Sequence, residues 1–199
     1  MAITRLTQST LQQAFPKFPS AWDGVSAVSS IDAISGVTLT NSQASIDFNS
    51  IPQTYQHLQI RGILRSSISA NQDTFYLQFN GDNGNNYKAH TLMATGSAPT
   101  SFATGPANFI EFYQIPGASQ TAGIFGTFVI DIHDYSNTNK NKIVTISYAM
   151  DNNSANASTT NAFFSGLWMN TNAVTSIKFA SQNNNSAVAN SSISVYGIR

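Results

Sequence analysis

The sequence contains no cysteine, which excludes disulfides, thiolate nucleophiles and cysteine-based zinc centres together. Charge is nearly as scarce. Lys, Arg, Asp and Glu make up 9% of the chain, against ~25% in an average globular protein. Nine cationic residues balance nine acidic ones, so no strong field draws the chain toward phosphates or anionic lipid, and neither nucleic acid nor membrane is an expected partner. Long apolar runs are missing too. The densest stretch, Ala162–Met169, is far below the ~20 residues of a membrane span. Residues 1–20 carry Arg5 and Lys17 but no continuous apolar segment, so no export signal is read and a soluble chain is expected. Glu occurs once, at Glu111, and Lys five times, which leaves little helix-favouring material.

What replaces the charge is uncharged polarity: 78 of the 199 residues are Ser, Thr, Asn or Gln. Hydrophobic residues still account for 41%, and the 47 Leu, Ile, Val and Phe suffice for a packed interior, which excludes charge-driven disorder. A chain of zero net charge has little to keep copies apart, and self-association is expected.

The apolar residues recur with the period of strands. In Thr74–Asn80, Phe75, Leu77 and Phe79 share one face and Tyr76, Gln78 and Asn80 the other. Gln56–Ser66, Gly123–Asp134 and Lys142–Met150 alternate in the same way. Shorter candidates are 37–39, 44–48, 87–92, 108–115, 160–169, 174–180 and 192–198. About ten or eleven strands at this spacing predict an all-β fold, an antiparallel β-sandwich of the jelly-roll kind. Two Asn-Gly steps, Asn80-Gly81 and Asn83-Gly84, are suited to positive φ between paired strands. The first 35 residues are too apolar for a free tail and too irregular for a sheet. Pro16 and Pro19 stop any helix, while Phe15, Phe18 and Trp22 ask for burial. The expected division is therefore an N-terminal attachment arm over 1–35, with those three rings as partner-binding residues, and a β-sandwich over 36–199; packing of the segment on its own domain is the alternative.

Four stretches carry a resemblance: Ile51–Arg61, Leu77–Asp82 with Tyr87, Asp131–Lys140, and Ser165–Trp168 through Thr175–Ile177 to Tyr196–Ile198. In this order the chain resembles, over roughly residues 37–198, a β-sandwich module common in virion structural proteins of tailed bacteriophages, among them tail-fibre-like and particle-surface proteins. The resemblance does not reach the first ~35 residues. It implies a non-enzymatic structural protein of the virion, as a capsid decoration or a tail-fibre or baseplate component, with copies of itself in a homotrimer and other virion proteins as partners. A host-receptor or carbohydrate-binding module, engaging a host surface glycan, is the other reading. No catalytic motif, cofactor or metal is implied.

Three constellations carry chemistry on paper, each beside a plainer reading. Asp131 and His133 share a strand face and could orient an imidazole for a metal or a reaction; a strand-end hydrogen bond explains them as well. Asn80–Asn86 offers alternating oxygens like a calcium loop but lacks the closing bidentate Glu, and a hairpin turn accounts for it without an ion. Tyr76, Tyr87, Tyr113, Tyr135, Trp22 and Trp168 could stack on sugars; otherwise Trp168 is core and the tyrosines sit at subunit contacts. Two close carboxylates of the glycosidase kind are not evident, with a single Glu and most Asp in turns.

Overall fold

Alternating burial marks out the strands: in Lys142–Met150 the side chains at 142, 144, 146, 148 and 150 are buried and those between face outward. A computed structural model describes residues 30–95, 98–151 and 160–199. Its strands are β1 (Ile31–Thr38), β2 (Ser45–Phe48), β3 (His57–Leu64), β4 (Gln72–Phe79), β5 (Tyr87–Ala94), β6 (Pro99–Ala107), β7 (Ile110–Pro116), β8 (Gly126–His133), β9 (Lys142–Met150), β10 (Thr160–Trp168), β11 (Ile177–Ser181) and β12 (Ser192–Ile198). They form an eight-stranded sheet in the order β1-β12-β3-β8-β9-β10-β5-β6 and a four-stranded sheet in the order β2-β11-β4-β7. Every neighbouring pair is antiparallel. The fold is all-β, an antiparallel sandwich in which the chain winds from one sheet to the other in jelly-roll fashion.

The inner faces meet in an aromatic core. Phe112, Phe128 and Phe179 are mutually packed, with ring centroids 5.4–6.3 Å apart. Phe79, Tyr87 and Trp168 form a second group at 5.4–6.4 Å. Asn80 (φ 52°) and Gly81 (φ 64°) both take the left-handed conformation expected of the first Asn-Gly step. Gly166 leaves room for Ile110: a Cβ there would lie 2.8 Å from Ile110 Cδ1. Gly62, Gly126 and Gly197 each accept a ring: a Cβ would come within 2.4 Å of Phe128 at Gly62, 2.8 Å of the Tyr148 ring carbons at Gly126 and 2.3 Å of the Tyr55 ring at Gly197.

Two sequence expectations need correction. The first strand, expected at 37–39, begins at Ile31, which pairs with Ile198. Strand β6 was not foreseen: it lies at the edge of its sheet, is exposed on both sides and carries Pro99, Gly105 and Pro106, so no alternation marks it.

The sandwich ends are closed by buried cations. Lys142 occupies an inward position of β9 at 0% exposure, and its ammonium donates to the carbonyls of Asn137 (2.7 Å), Lys140 (2.7 Å) and Thr171 (3.0 Å). Its three donors are thereby used on two different loops. Arg65, also buried, donates to the carbonyls of Thr121 (2.7 Å), Gln120 (2.8 Å), Ile124 (3.1 Å) and Ala118 (3.4 Å) in the β7–β8 connection. Lys142→Met keeps the stem but leaves three inward carbonyls without their donor. A loss on the order of 3 kcal/mol is expected as a lowered urea midpoint at unchanged slope; an unchanged midpoint would show that the ammonium is dispensable.

Candidate functional site

The described surface offers two features with the makings of a binding site: an open cleft between the sheet edges, and the outer face of the eight-stranded sheet. The cleft arises because β6 and β7 are the outermost strands of their respective sheets and are joined by only Asn108 and Phe109. A bulge in β7 shapes it. Asp73 pairs with Ile115 and Phe75 with Phe112, so Tyr113 and Gln114 stand against the single residue Thr74. Gln114 holds φ 71°, a conformation unfavourable for a residue with a side chain. Its carbonyl accepts from Tyr148 Oη at 2.7 Å, and its side-chain oxygen from Gln72 Nε2 at 2.9 Å and from the Thr160 hydroxyl. Those bonds hold the strained residue in place.

Gln72, Thr74, Met93, Phe102, Tyr113 and Gln114 line a cleft of about 240 Å³. Phe102 is 37% exposed and meets Tyr113 edge to face at 5.5 Å. The Tyr113 hydroxyl donates to Glu111 Oε2 and lies 3.2 Å from Thr104 Oγ1. Glu111 is also held by Gln182 Nε2 at 3.1 Å. Asp73, at the back of the cleft, is surrounded by donors: the hydroxyls of Ser66 (2.5 Å) and Ser181 (2.9 Å), the Thr74 N–H (2.8 Å) and Asn183 Nδ2 (2.8 Å). The carboxylates here are spent on the protein itself. What the cleft presents is an aromatic edge and neutral amides.

The outer face of the large sheet is different. Phe163 (48% exposed) and Leu92 (55%) are cross-strand partners, as are Ile143 (52%) and Leu167. Lys88 also faces outward, opposite Leu167, and the charges on β3 and β8 are locally matched. Arg61 Nε donates to Gln59 Oε1 at 2.8 Å and its guanidinium lies over Tyr196 at 5.8 Å, while Gln59 Nε2 donates to Asp131 Oδ1 at 2.9 Å.

Among the residues singled out from sequence, Phe15, Phe18 and Trp22 lie outside the described residues. Asp131 and His133 do share the outward face, but they work separately: Asp131 accepts from Gln59, whereas the His133 ring meets His57 at 5.5 Å. His57 Nδ1 in turn accepts the Asp134 N–H at 3.0 Å, a strand-end hydrogen bond made by neither Asp131 nor His133. Among the described residues no group of three or more His, Cys, Asp or Glu is placed to hold a metal ion. In the Asn80–Asn86 turn, Asp82 accepts from Trp168 Nε1 at 2.7 Å, the Gly84 N–H at 2.8 Å and Asn86 Nδ2 at 3.0 Å. Burial pulls its pKa upward, but the bonds from Trp168, Asn86 and Gly84 outweigh that and hold the carboxyl below its ordinary value. The loop is a turn pinned to the core. Trp168, Tyr87 and Tyr135 are fully buried and offer no stacking surface; Tyr76 stacks on Phe109 at 4.5 Å. Tyr113 reaches the cleft, where its companions Gln72, Met93, Phe102 and Gln114 carried no sequence signal because the bulge and β6 that assemble them carried none.

Burial and the hydrogen bond to Glu111 push the Tyr113 phenol up to about 12. Burial also raises Tyr87, Tyr135 and Tyr148. Raised folded-state values mean stability that is complete below the unfolded tyrosine pKa of ~10 and is lost as pH climbs through the folded values. Urea midpoints are therefore expected to fall above pH ~10, with tyrosinate absorbance at 295 nm from these four appearing only on unfolding. Full tyrosine ionisation in the still-folded protein at that pH would contradict the burial described.

No protein-family model matches the chain, and no curated protein matches it. Among solved structures, galectin LEC-6 of Caenorhabditis elegans is similar over 80% of this chain and 94% of that chain, with a TM-score of 0.35 and 10% identity.

Proposed function

We propose that the chain is a non-enzymatic structural module of a bacteriophage virion, displayed at the particle surface as a capsid decoration or a tail-fibre or baseplate component, and that it assembles with copies of itself. The observation that carries this reading is the outer face of the eight-stranded sheet. Cross-strand Phe163 and Leu92 leave large apolar side chains in water, and farther along the same face, on β3 and β8, Arg61, Gln59 and Asp131 satisfy one another. Such a face suits a protein neighbour: apolar anchors with little charge to desolvate. The four stretches behind the phage resemblance fall at junctions of the fold. The Tyr135 hydroxyl donates to the Pro52 carbonyl, Asn80 Oδ1 accepts from the N–H groups of Thr175 (2.8 Å) and Ser176 (3.1 Å), and Asp82 holds Trp168. The trimeric stoichiometry, the virion location and the partner role of Phe15, Phe18 and Trp22 follow from the resemblance and the composition.

A second reading, a module that binds a host-surface glycan, is favoured by one observation: the cleft pairs the Phe102 and Tyr113 rings with the Gln72 and Gln114 amides.

Light scattering tests the assembly. The full chain is expected to be a trimer at micromolar concentration and the Leu92→Ser/Phe163→Ser variant a folded monomer; a monomeric parent chain would contradict the proposal. A second measurement addresses attachment. Because β1 begins at Ile31, deleting residues 1–30 spares every described strand. The deletion is expected to leave thermal unfolding of the sandwich intact while abolishing incorporation into particles, and normal incorporation would move the attachment surface onto the sandwich.

A further inference from the structure

We infer that the cleft between β6 and β7 binds one neutral pyranose ring, such as a terminal residue of a glycan. The inference rests on the second, glycan-binding reading and gives it a location and a ligand class. Size is the first argument. At about 240 Å³ the cleft falls below the ~300–1,000 Å³ of sites that enclose drug-sized ligands, so it suits one ring with the rest of the molecule in solvent.

Chemistry is the second. No cation is among the described residues that line the cleft. Asp73 is enclosed by Ser66, Ser181, Asn183 and the Thr74 N–H, while Glu111 is engaged by Tyr113 and Gln182. An anionic ligand would meet no counter-charge, and a cationic one would have to compete with those donors. What a sugar can use here is the partly exposed Phe102 ring for its C–H face and the Gln114 amide nitrogen for a hydroxyl.

The third argument is the state of Gln114. The acceptor its amide nitrogen meets is the Met93 thioether, 3.8 Å away, a weak partner that a ligand hydroxyl improves on. The same residue carries positive φ in the bulge, a strained conformation of the kind that persists when its surroundings fix a side chain for a task.

Saturation-transfer NMR on the full-length protein with a panel of neutral, acidic and amino monosaccharides tests this. At least one neutral pyranose is expected to receive saturation with a millimolar dissociation constant. Phe102→Ala, at an exposed edge position, and Gln114→Gly, which suits positive φ, are each expected to weaken that binding by about tenfold or more. Ile63→Ser, at an exposed position of β3 away from the cleft, is expected to leave it unchanged. Neutral-sugar binding untouched by both cleft variants would overturn the location while leaving the glycan-binding reading standing. Preference for an acidic or amino sugar would overturn the ligand class, and no transfer to any sugar would overturn both the inference and the reading beneath it.

Discussion

The structure depends on one recurring interaction: a buried charged side chain whose polar atoms are filled by the backbone or by neutral groups of distant loops. A sandwich that sends its chain repeatedly from one sheet to the other needs long connections at its ends. Inward-facing carbonyls in those connections have no ladder to join and no water to turn to. Lys142 answers this for the 134–141 and 169–176 connections, and Arg65 for 117–125. Acids do the converse work. Asp73 gathers Ser66, Ser181 and Asn183, and Asp82 ties the β4–β5 turn to Trp168. Neutral side chains complete the closure at the Lys142 end, where Gln53 Nε2 reaches the Val174 carbonyl at 3.0 Å and Asn80 Nδ2 the Ala173 carbonyl at 2.8 Å. In a chain with so few ionisable groups, this inward use leaves the outer surface with little net field, which is the condition for close approach of an uncharged partner.

Much of the sheet was legible because period-two burial writes itself into sequence. Lys142–Met150 and Ser192–Ile198 agree with the observed strands at both ends, and the Asn80-Gly81 turn takes the conformation those residues favour. The alternation fails where one side of a strand is not core. Strand β6 overhangs the smaller sheet and is wet on both faces, so its residues are free to be Ser, Thr, Gly and Pro. The start of β1 was hidden for a similar reason, since most of its residues are exposed. Lys142 is the reverse case: read by type it belongs outside, yet its place in the alternation was inward, and only the three-dimensional meeting of two loops shows why.

The site was less legible than the fold. Tyr113 was recognisable as an aromatic available for stacking, but Gln72, Phe102 and Gln114 come together through a β-bulge and an edge strand, neither of which leaves a pattern in composition or spacing. The constellations that did stand out in sequence are tied into the fold. His57 receives the backbone N–H that follows His133, and the oxygen-rich turn is drawn to Trp168 through Asp82. The outer face and the cleft are chemically distinct, one presenting apolar side chains and the other amides and a ring. They lie on opposite sides of β5 and β6, so a single copy can use both at once.

Backbone hydrogen exchange in an Arg65→Met variant tests most directly whether buried charges hold the ends of the sandwich. In the β7–β8 connection, the N–H groups of Gly117, Ala118 and Ser119 donate to the carbonyls of Asn71, Ile68 and Ala70 at 2.8–3.2 Å. With the guanidinium removed, these amides are expected to exchange far faster while those of β3, β8 and β9 keep their protection, a local opening rather than global unfolding. Unchanged protection at 117–119 would contradict the account, because the connection would then be held by something other than the charge buried beneath it.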